Sequence, residues 1–187
     1  MANEPLNGLK VAILVTDGFE LVEPRKALDQ AGAKTSVVSP KGERVRGWDF
    51  TDWGDEIAVD VALDRARPDD FDALLLPGGV INPDSLRTQP QAVAFVKAFF
   101  AAGKPVASIC HGPWTLIEAD VVDGRKMTSW PSLKTDLQNA GAEWVDQAVV
   151  ADGNLVTSRK PDDIQAAFNP GMIDLFGRAR GQAQRTA

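Results

Sequence analysis

The 187-residue sequence predicts an α/β fold built on a mainly parallel sheet, and three observations carry that expectation. Short apolar runs rich in Val, Ile and Leu (LKVAILV at 9–15, FDALLL at 71–76, VASI at 106–109) read as strands covered on both faces. Stretches with helical spacing of apolar residues lie between them. Each run stops at a turn signal: Asp17-Gly18, Pro77-Gly78-Gly79, or His111-Gly112-Pro113. Strands alternating with helices imply βαβ units with right-handed crossovers. The length suits one domain over residues 1–187 with a full-sized core.

The elements follow in order. Residues 9–15 form the first strand. Pro24 fits a first helical position, and PRKALDQAG makes a short helix closed by Gly32. KTSVVS at 34–39 is the second strand. Residues 42–60, which hold Trp48 and Trp53, read as a turn-rich excursion with short strands. After the strand at 71–76, residues 90–102 place Val93, Phe95, Val96, Phe99 and Phe100 on one helical stripe ended by Gly103. The strand at 106–109 runs straight into a helix over 112–119. SLKTDLQNAG at 132–141 is helical behind Pro131. Residues 143–150 and 154–158 are strands around the hairpin signal Asp152-Gly153. A last helix spans 161–176, where Pro170-Gly171 should interrupt it. GRARGQAQRTA at 177–187 lacks periodicity and reads as a flexible tail.

Composition excludes several function classes. At 44% hydrophobic and 25% charged, the chain is that of a soluble globular protein. A net charge of −6 opposes general nucleic-acid binding. No run approaches the roughly 18 apolar residues of a membrane span, and MANEPLNGLK lacks the features of a secretory signal. One cysteine rules out an internal disulfide, so a cytoplasmic location is expected. One Cys and one His cannot build a structural zinc site. Neither a G-x-G-x-x-G fingerprint nor a P-loop occurs, so neither metal nor cofactor is expected.

The sole cysteine, Cys110, directly precedes the sole histidine, His111. In open α/β sheets ligands gather beyond the carboxyl ends of the strands, where the turns after residues 15, 76 and 109 should meet. Cys110 ends a strand and a helix begins within two residues, which is the layout of a nucleophile elbow. Gly112 leaves room for the sharp turn, and Pro113 suits a first helical turn. A thiol at a helix N-terminus is expected to have a lowered pKa. The N–H groups there, together with those of Gly78 and Gly79, suit an oxyanion. A buried, inert cysteine is the commoner fate of a lone thiol; the elbow position favours the reactive reading. His111 fits a structural imidazole as well as a catalytic one, and Asp17 reads as a turn cap.

SICHGP, LLLPGG and VTDGFE together resemble the PfpI-type branch of the DJ-1/PfpI superfamily, related to class I glutamine amidotransferase-like domains. The likeness extends through GKPVASICHGPW, TSWPSLKTDLQNAGAEWVD and DGNLVTSR, nearly the whole chain. It implies a flavodoxin-like three-layer sandwich, a homodimer or a larger assembly such as a hexamer, and an oxidisable elbow cysteine. By position, Cys110 matches the family's nucleophile and Glu20 the glutamate that contacts it. Gly79 and the His111 N–H match the oxyanion-binding groups. Trp114 and Trp130 fit a substrate-lining role and plain core packing equally well.

Two departures from the family pattern stand out. About three residues are missing between DGFE and EPRKAL, which leaves Glu23 as an alternative to Glu20. TQPQAV carries Pro90 where the peptidase pattern supplies an acid from a neighbouring subunit, so peptidase activity is doubtful. A glutamine amidotransferase proper is excluded, because no second histidine exists. The resemblance therefore implies a cofactor-independent hydrolase of small reactive carbonyls or their protein adducts, of glyoxalase III or deglycase type, in stress protection. The alternatives are a PfpI-type peptidase or amidase, and a redox-sensing stress protein in which Cys110 is oxidised.

Overall fold

The computed structural model describes residues 4–20, 22–49 and 51–186. Its first half runs β1 (Lys10–Leu14), α1 (Val22–Gln30), β2 (Lys34–Ser39), β3 (Arg44–Asp49), β4 (Asp52–Ala58), β5 (Val61–Ala62), β6 (Ala73–Leu76), α2 (Ile81–Arg87) and α3 (Pro90–Ala101). The second half runs β7 (Val106–Ile109), α4 (Pro113–Glu118), β8 (Lys126–Met127), α5 (Lys134–Asn139), β9 (Glu143–Trp144), β10 (Val149–Asp152), β11 (Leu155–Ser158) and α6 (Asn169–Thr186).

Seven strands form the central sheet in the order β10-β11-β7-β6-β1-β2-β5. Every neighbouring pair is parallel except β10 with β11. The strand side chains divide between two cores, as a sheet covered on both faces requires. Val11 and Ile13 of β1 join Leu28 of α1 and Phe168, Met172 and Phe176 near the C-terminus. Ala12 and Leu14 face the other way, against Leu86, Phe95, Phe99, Leu116 and Leu137 of α2, α3, α4 and α5. The result is the three-layer sandwich of the flavodoxin-like fold.

From β1 the chain steps outward to β2 on one side and returns through β6 and β7 on the other. The carboxyl ends of β1, β6 and β7 therefore flank the point where strand order reverses, the place where such sheets bind ligands. These are the three strands that lead to Glu20, Gly78-Gly79 and Cys110.

Three expectations change and a fourth is made specific. Residues 177–186, which lack periodicity, continue α6 to Thr186, and the Arg180 side chain donates to the Pro5 carbonyl at 3.1 Å. Pro170-Gly171 does not interrupt the last helix, because α6 starts at Asn169 after a wide turn over Ile164–Phe168. Proline is tolerated in a first turn, where its missing N–H has no partner to lose. The predicted strand at 143–150 divides in two. β9 pairs parallel with β8 in a separate ribbon, and β10 closes the sheet edge. The excursion at 42–60 is an antiparallel ribbon, β3 with β4, whose Trp48 and Trp53 meet edge to face at 5.4 Å.

Phe168 is fully buried between the sheet and α6. Phe168→Ala is expected to lower unfolding stability by about 3–5 kcal/mol, measured as a fall in the urea midpoint at unchanged slope.

Candidate active site

Cys110 is the one site residue whose backbone is strained. Its φ of 61° lies in the left-handed region, which side chains other than glycine rarely occupy. The chain turns there from β7 into α4, and neighbouring backbone fixes the turn. The Cys110 N–H donates to the Ser158 carbonyl at 3.1 Å, and its carbonyl accepts from the Trp130 N–H at 2.9 Å. A Cβ on Gly112 would lie 2.6 Å from Ser108 Oγ and 2.9 Å from the Ile109 and Leu76 carbonyl oxygens. One on Gly78 would lie 2.8 Å from Cys110 Cβ. Glycine at both positions is a condition of the elbow.

Gly79 (φ 83°) carries the second turn, and a Cβ there would overlap the Gly18 carbonyl oxygen. The turns after β1 and β6 thus meet backbone to backbone, and Glu20 forms an isolated antiparallel bridge with Gly78. Asp17 does not cap its own turn. Its carboxylate pairs with Lys41 and accepts the Arg46 N–H at 2.9 Å, tying the turn to the β3–β4 ribbon. Burial raises the Asp17 pKa, but these bonds outweigh it and hold the carboxyl below its ordinary range.

The sequence-matched groups converge on one sulfur. The backbone N–H groups of His111 and Gly79 and the charge of Glu20 all act on it. Burial, then Asp49, holds the Glu20 carboxyl above the ordinary glutamate range. Burial, then the Glu20 charge, pushes the Cys110 thiol up to about 12 against the pull of the two N–H groups. The expected exposed, low-pKa thiolate is therefore not what the fold builds. Cys110 is only 6% exposed, and α4 has six residues with proline at its first position, so its N-terminal field is weak beside burial. Glu20 and Cys110 titrate as a coupled pair: the first proton leaves above the ordinary glutamate value, and the second is held until strongly alkaline pH.

The Glu23 carboxylate bonds away from the sulfur. Its exposed side chain accepts from Gln165 at 2.6 Å and from Lys26 at 3.3 Å. His111 is buried, and burial lowers its pKa, so the imidazole is neutral at physiological pH. Its Nδ1 lies 3.2 Å from Cys110 Sγ and its Nε2 lies 3.4 Å from Ser132 Oγ. The ring sits between two indoles, stacked at 5.8 Å on Trp130 and tilted at 5.1 Å to Trp114. Trp114 is half-buried against the second core and donates to Asp136 at 3.1 Å, whereas Trp130 is 37% exposed. Sequence reasoning missed Ser132, because a serine opening a helix reads as ordinary start chemistry. α3 begins at Pro90 with no acidic residue in its first turn. Among the described residues no cluster of three or more metal-ligating side chains occurs, and no helix is long and apolar enough to cross a membrane.

A model of the DJ-1/PfpI family matches residues 9–173. The chain belongs to this family. General stress protein 18 of Bacillus subtilis is 46% identical over 174 residues, which cover 90% of this chain and 98% of that protein. Protein/nucleic acid deglycase 2 of Escherichia coli is 43% identical over 173 residues, covering 90% and 98%. Among solved structures, Drosophila melanogaster DJ-1beta superposes with a TM-score of 0.82 at 27% identity, covering 96% of this chain and 97% of that one. A two-domain protein of Anabaena variabilis, with DJ-1/ThiJ/PfpI-like and ferritin-like domains, superposes at 0.84 with 36% identity; this chain spans 48% of it.

Gly79→Ala should cost clearly more unfolding free energy than Gly103→Ala. Both glycines have positive φ, but a Cβ at Gly103 meets nothing within 4 Å. The control carries only the left-handed penalty, about 1–2 kcal/mol. Equal costs in urea unfolding would contradict the backbone contact between the two turns.

Proposed function

We propose that this protein is a cofactor-independent hydrolase of small reactive carbonyls, or of their early adducts on protein amines, with Cys110 as nucleophile and Glu20 as proton carrier. The observation that carries the reading is the convergence on one strained, buried sulfur of two backbone N–H donors and a carboxyl whose pKa is raised. The deglycase and general stress protein names of the relatives support it.

With methylglyoxal as substrate, the sulfur adds to the aldehyde carbon as its proton passes to the Glu20 carboxylate. Glu20 hands that proton on to the carbonyl oxygen, which becomes the hydroxyl of a hemithioacetal and leaves Glu20 ionised again, while the N–H groups of Gly79 and His111 steady the charge that builds on the oxygen. Glu20 then removes the proton from the former aldehyde carbon and returns it to the neighbouring carbon, while the hydroxyl proton passes from the first oxygen to the second. The product of that shift is a lactoyl thioester of Cys110. Water cleaves it to lactate and free thiol, so the net reaction adds one water and needs no external oxidant or reductant. Neutral His111 donates to or accepts from the sulfur without changing charge. Its second nitrogen faces a serine hydroxyl and not a carboxylate, an arrangement that favours carbonyl chemistry over peptide hydrolysis, where the imidazole must be held as a cation.

Lactate formation from methylglyoxal without glutathione tests this. Wild type should turn over, and Cys110→Ser and Glu20→Gln should each lose about a hundredfold or more of kcat. The rate should fall as pH drops through the first ionisation of the pair, above the ordinary glutamate range, because the site must lose one proton to act. A Glu20→Gln enzyme with wild-type kcat would overturn the role of Glu20, and an inactive wild type the reading as a whole.

A further inference from the structure

Asn82, the second residue of α2, is 1% exposed, and its side-chain amide serves neither helix nor sheet. Its Oδ1 accepts the Thr16 N–H at 2.8 Å, in the turn that leads from β1 to Glu20. Its Nδ2 donates to the carbonyls of Pro77 and Gly78, both at 3.3 Å, in the turn after β6. Only an amide supplies an acceptor to one strand end and two donors to the next. Flipping it would set its oxygen against two carbonyl oxygens, so the orientation is determined by its partners. The two turns it joins carry Glu20 and Gly79, which approach the Cys110 sulfur from separate strands. Thr16 is buried as well, so without Asn82 its N–H would be left unpaired away from water.

We propose that Asn82 is a positioning residue that holds the Glu20 turn and the Gly78-Gly79 turn in register beside Cys110. The direct backbone contacts between these turns are an isolated bridge and a glycine-to-glycine approach, neither of which fixes sliding along the sheet edge. The amide does, because it bonds at once to the turns that follow both strands. The effect is on the site and not on the fold alone, since the strand ladders of β1 and β6 do not use it.

The test follows alkylation of Cys110, the only thiol in the chain, by iodoacetamide across the neutral and alkaline range. The proteins compared are wild type, Asn82→Ala and Asn82→Asp, with Phe168→Ala as a destabilised control remote from both turns. The inference rests on Cys110 as the reacting group, but alkylation reads the site whether or not carbonyls are its substrate. The profiles of both Asn82 variants should move by about one pH unit or more toward that of an ordinary cysteine, while Phe168→Ala keeps the wild-type profile. Asn82→Asp, which retains the acceptor for Thr16 but faces two carbonyls with an oxygen, should not rescue. For methylglyoxal, kcat should fall about tenfold with KM within about twofold. A folded Asn82 variant with the wild-type alkylation profile, or an equal shift in Phe168→Ala, would overturn the role. An inactive wild type would overturn the carbonyl chemistry and leave the alkylation result to decide on Asn82.

Discussion

The left-handed backbone at Cys110 is the constraint on which the remaining site features depend. A strand that must turn into a helix within three residues has few ways to do so, and this one places a side chain other than glycine where it costs about 1–2 kcal/mol. The conformation persists because the surroundings over-determine it: β11 holds the N–H, the Trp130 backbone holds the carbonyl, and Gly78 and Gly112 leave the space a Cβ would fill. The same turn points the sulfur at the N–H groups of His111 and Gly79. The nucleophile and the His111 donor are thus set by one piece of backbone, and the turn after β6 adds the Gly79 donor.

Burial gives that sulfur an electrostatic setting different from an exposed helix-end thiolate. Beside a carboxyl in a poorly solvated site, two negative charges are resisted, and Glu20 and Cys110 give up their protons far apart in pH. Between the two ionisations the pair carries a single negative charge. That is a useful state for a reaction that moves a proton off sulfur and then between two carbons, since the carrier is neither a strong acid nor permanently protonated. His111 adds polarity without charge, held between two indoles and against a serine hydroxyl.

Much of this was legible in the sequence, for identifiable reasons. The strand at 106–109, buried along its whole length, leaves an unbroken apolar run and is placed at its observed bounds; 34–39, exposed at Lys34 and buried only over Val37–Ser39, is placed at its bounds as well. The elbow announced itself through the sequence Ile109-Cys110-His111-Gly112-Pro113. α2 was missed because seven residues containing Pro83 show no helical stripe. The helix over 177–186 was missed because Gly, Gln and Arg hide its period. The thiol was assigned too low a pKa because a helix N-terminus can be read from local sequence, whereas burial beside a carboxyl 90 positions away requires the fold. Asn82 escaped for the same reason, since only the sheet order brings Thr16 to its side chain.

The central claim is that the Cys110 sulfur bonds to the substrate carbon. It is tested most directly by quenching a methylglyoxal reaction in acid during turnover and mapping the modified peptides by mass. The account predicts one lactoyl group on the peptide containing Cys110 in wild type, none in Cys110→Ser, and in Glu20→Gln no thioester. Lactate formed while Cys110 stays unmodified, or acyl groups confined to lysines, would contradict it.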